Sequence, residues 1–423
     1  MQKVVIEEPY QFIPPYRSRI WSTVMQKILP WFMRRRYGIV DWKINGIEHL
    51  RNSLKAGDGV LLCPNHCRIA DPMLMGVICR DAPCHMYAMA SWHIFKQTPL
   101  ETFIVRRIGG FSIYREGVDR QALDTAINIV ANAQRPLVVF PEGVISYCND
   151  RLLSLMDGVS FIARMAAKKR KQIQPDSRVV IHPVGIRYHL TEGLDSVAGP
   201  LLSSLERQTF WKSHEHKPTR KRIRQLATAL LSAREIECLG DTRSGDLGER
   251  AEFLMNAILQ EQELELFDKP RCGDVVSRVK DLRTAMLPDL LAGQISDSER
   301  RRRWRQLTDS YYAQCLSMYP REYLTLKARG HVTAERIMET VHRLEEDMTD
   351  RLTVTPSWRA EITVGEPIPV EGGRRKSRNG DPLMNQLRQD LLNLLGIEDW
   401  WPPVAVNDLK DTPVAEAVPA PAT

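Results

Sequence analysis

His66 and Asp71 stand five residues apart in Asn65-His66-Cys67-Arg68-Ile69-Ala70-Asp71, directly after the apolar run Val60-Leu61-Leu62-Cys63 and Pro64. Such a run reads as a buried strand. A histidine leaving its end can act as a general base, with an aspartate one helical turn on fixing its tautomer and stabilising the imidazolium. That pair needs no serine or cysteine nucleophile. It would activate a hydroxyl brought by the substrate, the logic of direct acyl transfer rather than of hydrolysis. A plainer reading of the same residues is a capped helix start with a surface histidine.

Three further segments follow in order: Gly109-Gly110-Phe111-Ser112-Ile113-Tyr114-Arg115, Phe140-Pro141-Glu142-Gly143, and Ile181-His182-Pro183-Val184-Gly185-Ile186. Together with the His/Asp pair they resemble the four motif blocks of the glycerolipid acyltransferase family, which includes the 1-acylglycerol-3-phosphate acyltransferases. The resemblance covers roughly residues 38–200 and 356–398. It implies His66 and Asp71 as the catalytic pair, Arg115 as a ligand of the acceptor's phosphate, and Glu142 and Gly143 as acceptor-placing residues. The block around Pro183 would belong to the sheet and the wall of the acyl chain. The implied co-substrates are an acyl thioester, from acyl-CoA or acyl-carrier protein, and a lysolipid; no cofactor or metal is expected.

Two departures bear on the acceptor. Arg68 stands where the family usually has serine, adding a cation beside the base and a candidate substrate-binding residue. Val144-Ile145 replace the usual Thr-Arg of the third block, although Ser146 is retained. An amine or non-glycerol lipid acceptor is therefore an alternative, as is a non-catalytic lipid-binding scaffold.

Composition is compatible with these readings. The 423 residues, 43% hydrophobic and 26% charged, can bury a core with room for two domains or one with a large insertion. A net charge of +7 permits an anionic partner. The basic runs at 217–224 and 300–303 are interspersed with acids and fit no nucleic-acid motif, so an anionic membrane surface is expected instead. Eight cysteines are too sparse for a disulfide framework, and without an opening signal peptide a reducing cytoplasm is expected. Between Pro15 and Tyr37, the rows Ile20, Val24, Ile28, Trp31 and Trp21, Met25, Leu29, Phe32 recur at helical spacing among arginines and lysines. Two tryptophans and a basic cluster suit a helix lying in a membrane interface; the competing reading is a helix packed on the protein and kinked near Pro30. No run is long enough to span a bilayer.

The remaining pattern predicts a mostly parallel α/β sheet covered by helices, with the motif blocks other than the Gly-Gly segment on or just after strands. From about 201 to 355 the strand signals give way to helical ones. Arg359 to Ile368 then resembles the family's final strand and Gly-x-Pro-Ile turn, and Leu383 to Leu395 its closing helix. A core of 38–200 and 356–398 interrupted by a helical insertion is expected, preceded by an interfacial segment (1–37) and followed by a disordered tail (399–423). No internal repeat is apparent.

Overall fold

The run before His66 is a strand because its alternate side chains feed two cores. In the computed structural model, which describes residues 5–210, 212–319, 332–353, 355–373 and 380–397, Val60 and Leu62 enter one apolar cluster, Leu61 and Cys63 the other. Period-two burial on both faces is what a central parallel strand requires. The strands are β1 (Ile39–Asn45), β2 (Gly59–Pro64), β3 (Tyr87–Ser91), β4 (Gly110–Ile113), β5 (Leu137–Val138), β6 (Val179–Leu190), β7 (Trp358–Val364) and β8 (Ile368–Val370). They form one sheet in the order β1-β7-β6-β2-β5-β3-β4, with β8 also on β6. Neighbours run parallel except that β7 and β8 are antiparallel to β6.

Helices α1 (Arg19–Tyr37), α2 (Ile47–Lys55) and α3 (Asp71–Asp81) supply Leu29, Met33, Leu50, Leu74 and Ile78 to one face of the sheet. The short helix α4 (Pro99–Arg107), not singled out in the sequence, precedes β4. Helices α5 (Arg120–Ala131) and α6 (Gly158–Ile173) line the opposite face through Ala126, Val130, Ile162 and Ala166. The Gly-Gly segment, expected to lie off the strands, is itself edge strand β4. Four residues were too few to show a period. Its outer edge is covered rather than open: Ser112 N–H donates to Ile13 O at 3.0 Å and Ile13 N–H to Ser112 Oγ at 2.8 Å. This blocks edge-to-edge pairing there.

The chain leaves the sheet at Leu190 and enters α7 (Leu194–Phe210), α8 (Thr219–Leu239), α9 (Leu247–Phe267), α10 (Val275–Ala292), α11 (Asp297–Ser317) and α12 (Ala334–Thr349). Here the structure corrects the expectation of no repeat. Glu206 of α7 accepts from the Arg222 fork of α8 and from the His214 backbone N–H. Glu235 of α8 does the same with Arg250 of α9 and the Arg243 N–H, and Glu263 of α9 with Arg278 of α10 and the Arg271 N–H. All three carboxylates are fully buried, and each arginine is followed one turn on by a fully buried leucine, Leu226, Leu254 or Leu282. The corner needs only this pair and this leucine. The rest of each unit is free to vary, which hid the repeat.

After α12 the chain returns as β7, which inserts between β1 and β6, and ends its described part with α13 (Pro382–Leu395). Leu387 and Leu391 of α13 pack beside α5 and α6. The tail expected to be disordered, 399–423, lies outside the described residues.

Candidate active site

Pro64 ends β2, and Asn65 pins the following turn to the neighbouring strand. Its side chain donates to Ile186 O at 3.1 Å and accepts from Ile186 N–H at 2.7 Å, while its own N–H donates to Val184 O at 3.2 Å. His66 is thereby fixed at the carboxyl end of the sheet's centre, where the strand ends leave a crevice. Its carbonyl accepts from Ser146 N–H at 2.7 Å, and its ring stacks on Phe140 at 4.1 Å between centroids.

Nδ1 of His66 lies 2.8 Å from Asp71 Oδ2. Asp71 is wholly buried as the first residue of α3, where the helix N-terminus favours a carboxylate. Its Oδ2 also accepts the Arg68 backbone N–H at 2.8 Å, and its Oδ1 accepts Tyr188 O–H at 2.6 Å and, weakly, the Cys67 thiol at 3.9 Å. Burial, then the Asp71 charge, holds the Tyr188 hydroxyl well above its ordinary pKa, so it remains a donor. With Asp71 purely an acceptor, Nδ1 carries the proton and Nε2 presents its lone pair. No partner engages Nε2 among the described residues. Cys67 is an unsuitable nucleophile, since burial first and Asp71 second push its thiol well up.

Glu142 is the second buried carboxylate. Its Oε1 accepts His66 N–H at 2.6 Å and its Oε2 accepts Leu153 N–H at 2.8 Å. Burial raises it to about 7, opposed by those two amide donors. Gly143 follows with φ +69°, a left-handed conformation in which a Cβ would stand 2.5 Å from Met156 Cε and 3.8 Å from Arg115 Nη2. Arg115, just past β4, thus meets the turn that carries Glu142. The structure brings His66, Asp71, Glu142, Gly143 and Arg115 to one end of the sheet.

Residues 42–187 match the family model described as Acyltransferase. Over 138 residues the chain is 28% identical to 1-acyl-sn-glycerol-3-phosphate acyltransferase of Streptococcus pneumoniae, an alignment covering 32% of this chain and 49% of that protein. Residues 42–187 are thus similar to an acyltransferase domain. It spans about half the length of the curated relative it matches.

Within the matched segment, Arg68 is the expected site residue that stands apart. Its guanidinium pairs with Glu339 of α12 at 3.1 Å and stacks over Trp358 at 3.8 Å, with Tyr188 at 4.9 Å. Its side chain ties the His66–Asp71 turn to the helical segment; its backbone N–H donates to Asp71. Glu339 also accepts Asn149 N–H at 3.2 Å and is raised to about 7 by burial, opposed by Arg68. Sequence reasoning missed Tyr188, Asn65 and Glu339. Tyr188 had a signal, since Val184, Ile186 and Tyr188 continue one face of β6 at period two and end in a side chain with a polar tip. Glu339, on a helix far along the chain, had none.

Proposed function

We propose that the protein transfers a fatty acyl group from an acyl thioester, of coenzyme A or of acyl-carrier protein, to the hydroxyl of a lysophospholipid. The observation that carries this reading is the buried Asp71 holding His66 Nδ1 while Nε2, on a ring that is partly exposed, has no partner among the described residues. Nε2 takes the proton of the acceptor hydroxyl as its oxygen attacks the thioester carbon. Asp71 offsets the charge that develops on the ring, a role worth roughly 10²- to 10⁴-fold for the base as a whole. Collapse of the tetrahedral intermediate breaks the C–S bond, and the imidazolium returns the proton to the departing thiolate. Ester and free thiol are the products, and Nε2 ends as it began. Glu142 fixes the His66 backbone, and Arg115 offers a guanidinium fork to the acceptor's phosphate.

We read residues 38–200 and 356–398 as one catalytic core and 201–355 as an insertion in it, because β7 completes the sheet beside β6. No helix among the described residues is long and apolar enough to cross a membrane. Docking on an anionic lipid surface is supported by α1. Trp21, Met25, Leu29 and Met33 turn toward the protein, Leu29 meeting Gly76 of α3, while Ile20, Val24, Ile28 and Trp31 are exposed beside Arg34, Arg35 and Arg36. The inward row fits a packed helix and the outward row supports an interfacial one, on one element continuous through Pro30. Exposed Leu100 and Phe103 of α4 lie next to it, Phe103 against Trp21 at 5.4 Å.

A screen of purified protein with acyl-CoA and acyl-carrier-protein donors against a lysolipid panel, read by mass spectrometry, tests the assignment. An ester product and stoichiometric free thiol are expected. Thioester hydrolysis without acceptor acylation would sink it.

A further inference from the structure

Arg115 has no hydrogen bond or ion pair among the described residues, although Glu116 follows it in sequence. The Glu116 carboxylate instead faces Arg283 of α10, Nη1 to Oε1 3.9 Å apart. Arg283 is 4% exposed. Gln314 of α11 holds its Nη2 at 2.6 Å, and its buried Nε has no partner. On the turn after β3, His93 bonds Ser91 Oγ through Nδ1 at 2.9 Å and is pushed down to about 4 by burial, then by Arg115 and Arg283. It is therefore neutral at pH 7 and adds no charge of its own.

Glu116 is thus the one carboxylate set between a buried guanidinium, Arg283, and a half-buried one, Arg115. Burial and the nearby Arg283 push even Arg115 down to about 10. Buried like charges are costly unless an anion matches them. The surplus faces the catalytic turn, since Arg115 reaches Gly143 and the adjoining Glu142 holds the His66 N–H. We propose that Arg283, contributed by the helical segment outside the acyltransferase domain, joins Arg115 in binding a phosphomonoester dianion of the acceptor. It supplies from α10 the cation missing at Ile145, where the related third block carries arginine. This inference rests on the acyl-transfer reading above.

The test compares the full-length wild type with Arg283→Gln and Arg283→Lys. Glycerol 3-phosphate binding is measured by calorimetry, and KM is measured for lysophosphatidate, for a monoacylglycerol and for the thioester donor. Arg283→Gln should weaken glycerol 3-phosphate binding and raise the lysophosphatidate KM roughly tenfold or more. Donor and monoacylglycerol KM should hold, and Arg283→Lys should recover part of the loss because charge survives without the fork. Unchanged phosphate affinity and KM would overturn the proposal. A rise confined to the donor KM would assign Arg283 to a donor phosphate and overturn it as well. A wild type that binds glycerol 3-phosphate through Arg283 yet transfers no acyl group would refute the acyl-transfer reading alone. If the glutamine variant does not fold, the Arg283 Nε–H resonance of labelled wild type should shift on adding glycerol 3-phosphate; an unmoved resonance rejects the site.

Discussion

Replacing Asp71 by asparagine separates the charge of this residue from its geometry. The buried carboxylate only accepts, from His66 Nδ1 and Arg68 N–H on Oδ2 and from Tyr188 O–H on Oδ1. An asparagine must place one NH₂ among these donors. The Arg68 amide cannot turn away, whereas the Tyr188 hydroxyl can rotate and accept. The amide oxygen therefore takes the Oδ2 position, Nδ1 keeps its proton, and the catalytic tautomer survives. What disappears is the negative charge opposite the forming imidazolium. The difference is that of a charge-assisted bond, about 1.5–3 kcal/mol, or roughly 10- to 150-fold in kcat. Stability in urea should stay near wild type. Asp71→Ala, by contrast, strands three buried donors at about 1–3 kcal/mol each and should lose both fold stability and turnover. Single-turnover release of free thiol, with a urea titration of each variant, measures both. A kcat loss near the roughly 10⁴-fold seen when a catalytic histidine is held in the wrong tautomer would refute the orientation argued from Arg68. A loss under about threefold would refute the electrostatic role.

His66→Ala should lower kcat at least about 10²-fold with unchanged circular dichroism; retention of a tenth of wild-type turnover would exclude a general base. Activity should fall as pH drops through about 7, because protonated Glu142 no longer accepts from both amides. Its native value lies above the ordinary carboxylate value of about 4.3, so this group's contribution to stability declines as pH rises between those values and the acid loss of activity is not unfolding. Glu142→Gln should be less active and show a shallower acid limb; an identical pH profile argues against this role. Serine at Ile20, Ile28 and Trp31 together should cut binding to anionic vesicles more than tenfold, since each apolar side chain buried in lipid contributes on the order of 1.5–3 kcal/mol. Full sedimentation of that variant would place the membrane contact elsewhere. This is a cleaner test than deleting α1, which would uncover buried Leu29 and Met33. Arg250→Ala should cost about 3–5 kcal/mol by leaving Glu235 charged and unpaired in the interior; a loss below 1 kcal/mol on urea unfolding would show the corner to be decorative.

The local parts of the site were legible and the distant parts were not. His66 and Asp71 share one turn, so their spacing drew attention to them, whereas Glu142 and Gly143 stood out through the resemblance of Phe140 to Gly143 to a motif block. The β–α alternation gave the sheet, and the strand at Arg359 was recognised for its resemblance to a final strand. Glu339, Arg283 and the Tyr188 hydroxyl act across the fold. Their partners lie far along the chain or on a neighbouring element, and no local period encodes such a meeting. Arg68 shows the converse. Its position beside His66 suggested a cation in the crevice, but the guanidinium finds a buried carboxylate on α12 and the Trp358 ring.

The late arrival of β7 has a consequence for how the chain reaches this state. Each Glu–Arg corner joins helices that are neighbours in sequence, so the helical segment can close its contacts quickly. The sheet cannot, because the edge of β6 and the inner edge of β1 both wait for Trp358–Val364 to be synthesised. During synthesis the turn at His66 therefore exists before the strand that seats Arg68 and completes its support. Apolar edges of an unfinished sheet are aggregation-prone. A helical segment that folds early beside them would shield the waiting half during translation, a role separate from any in turnover.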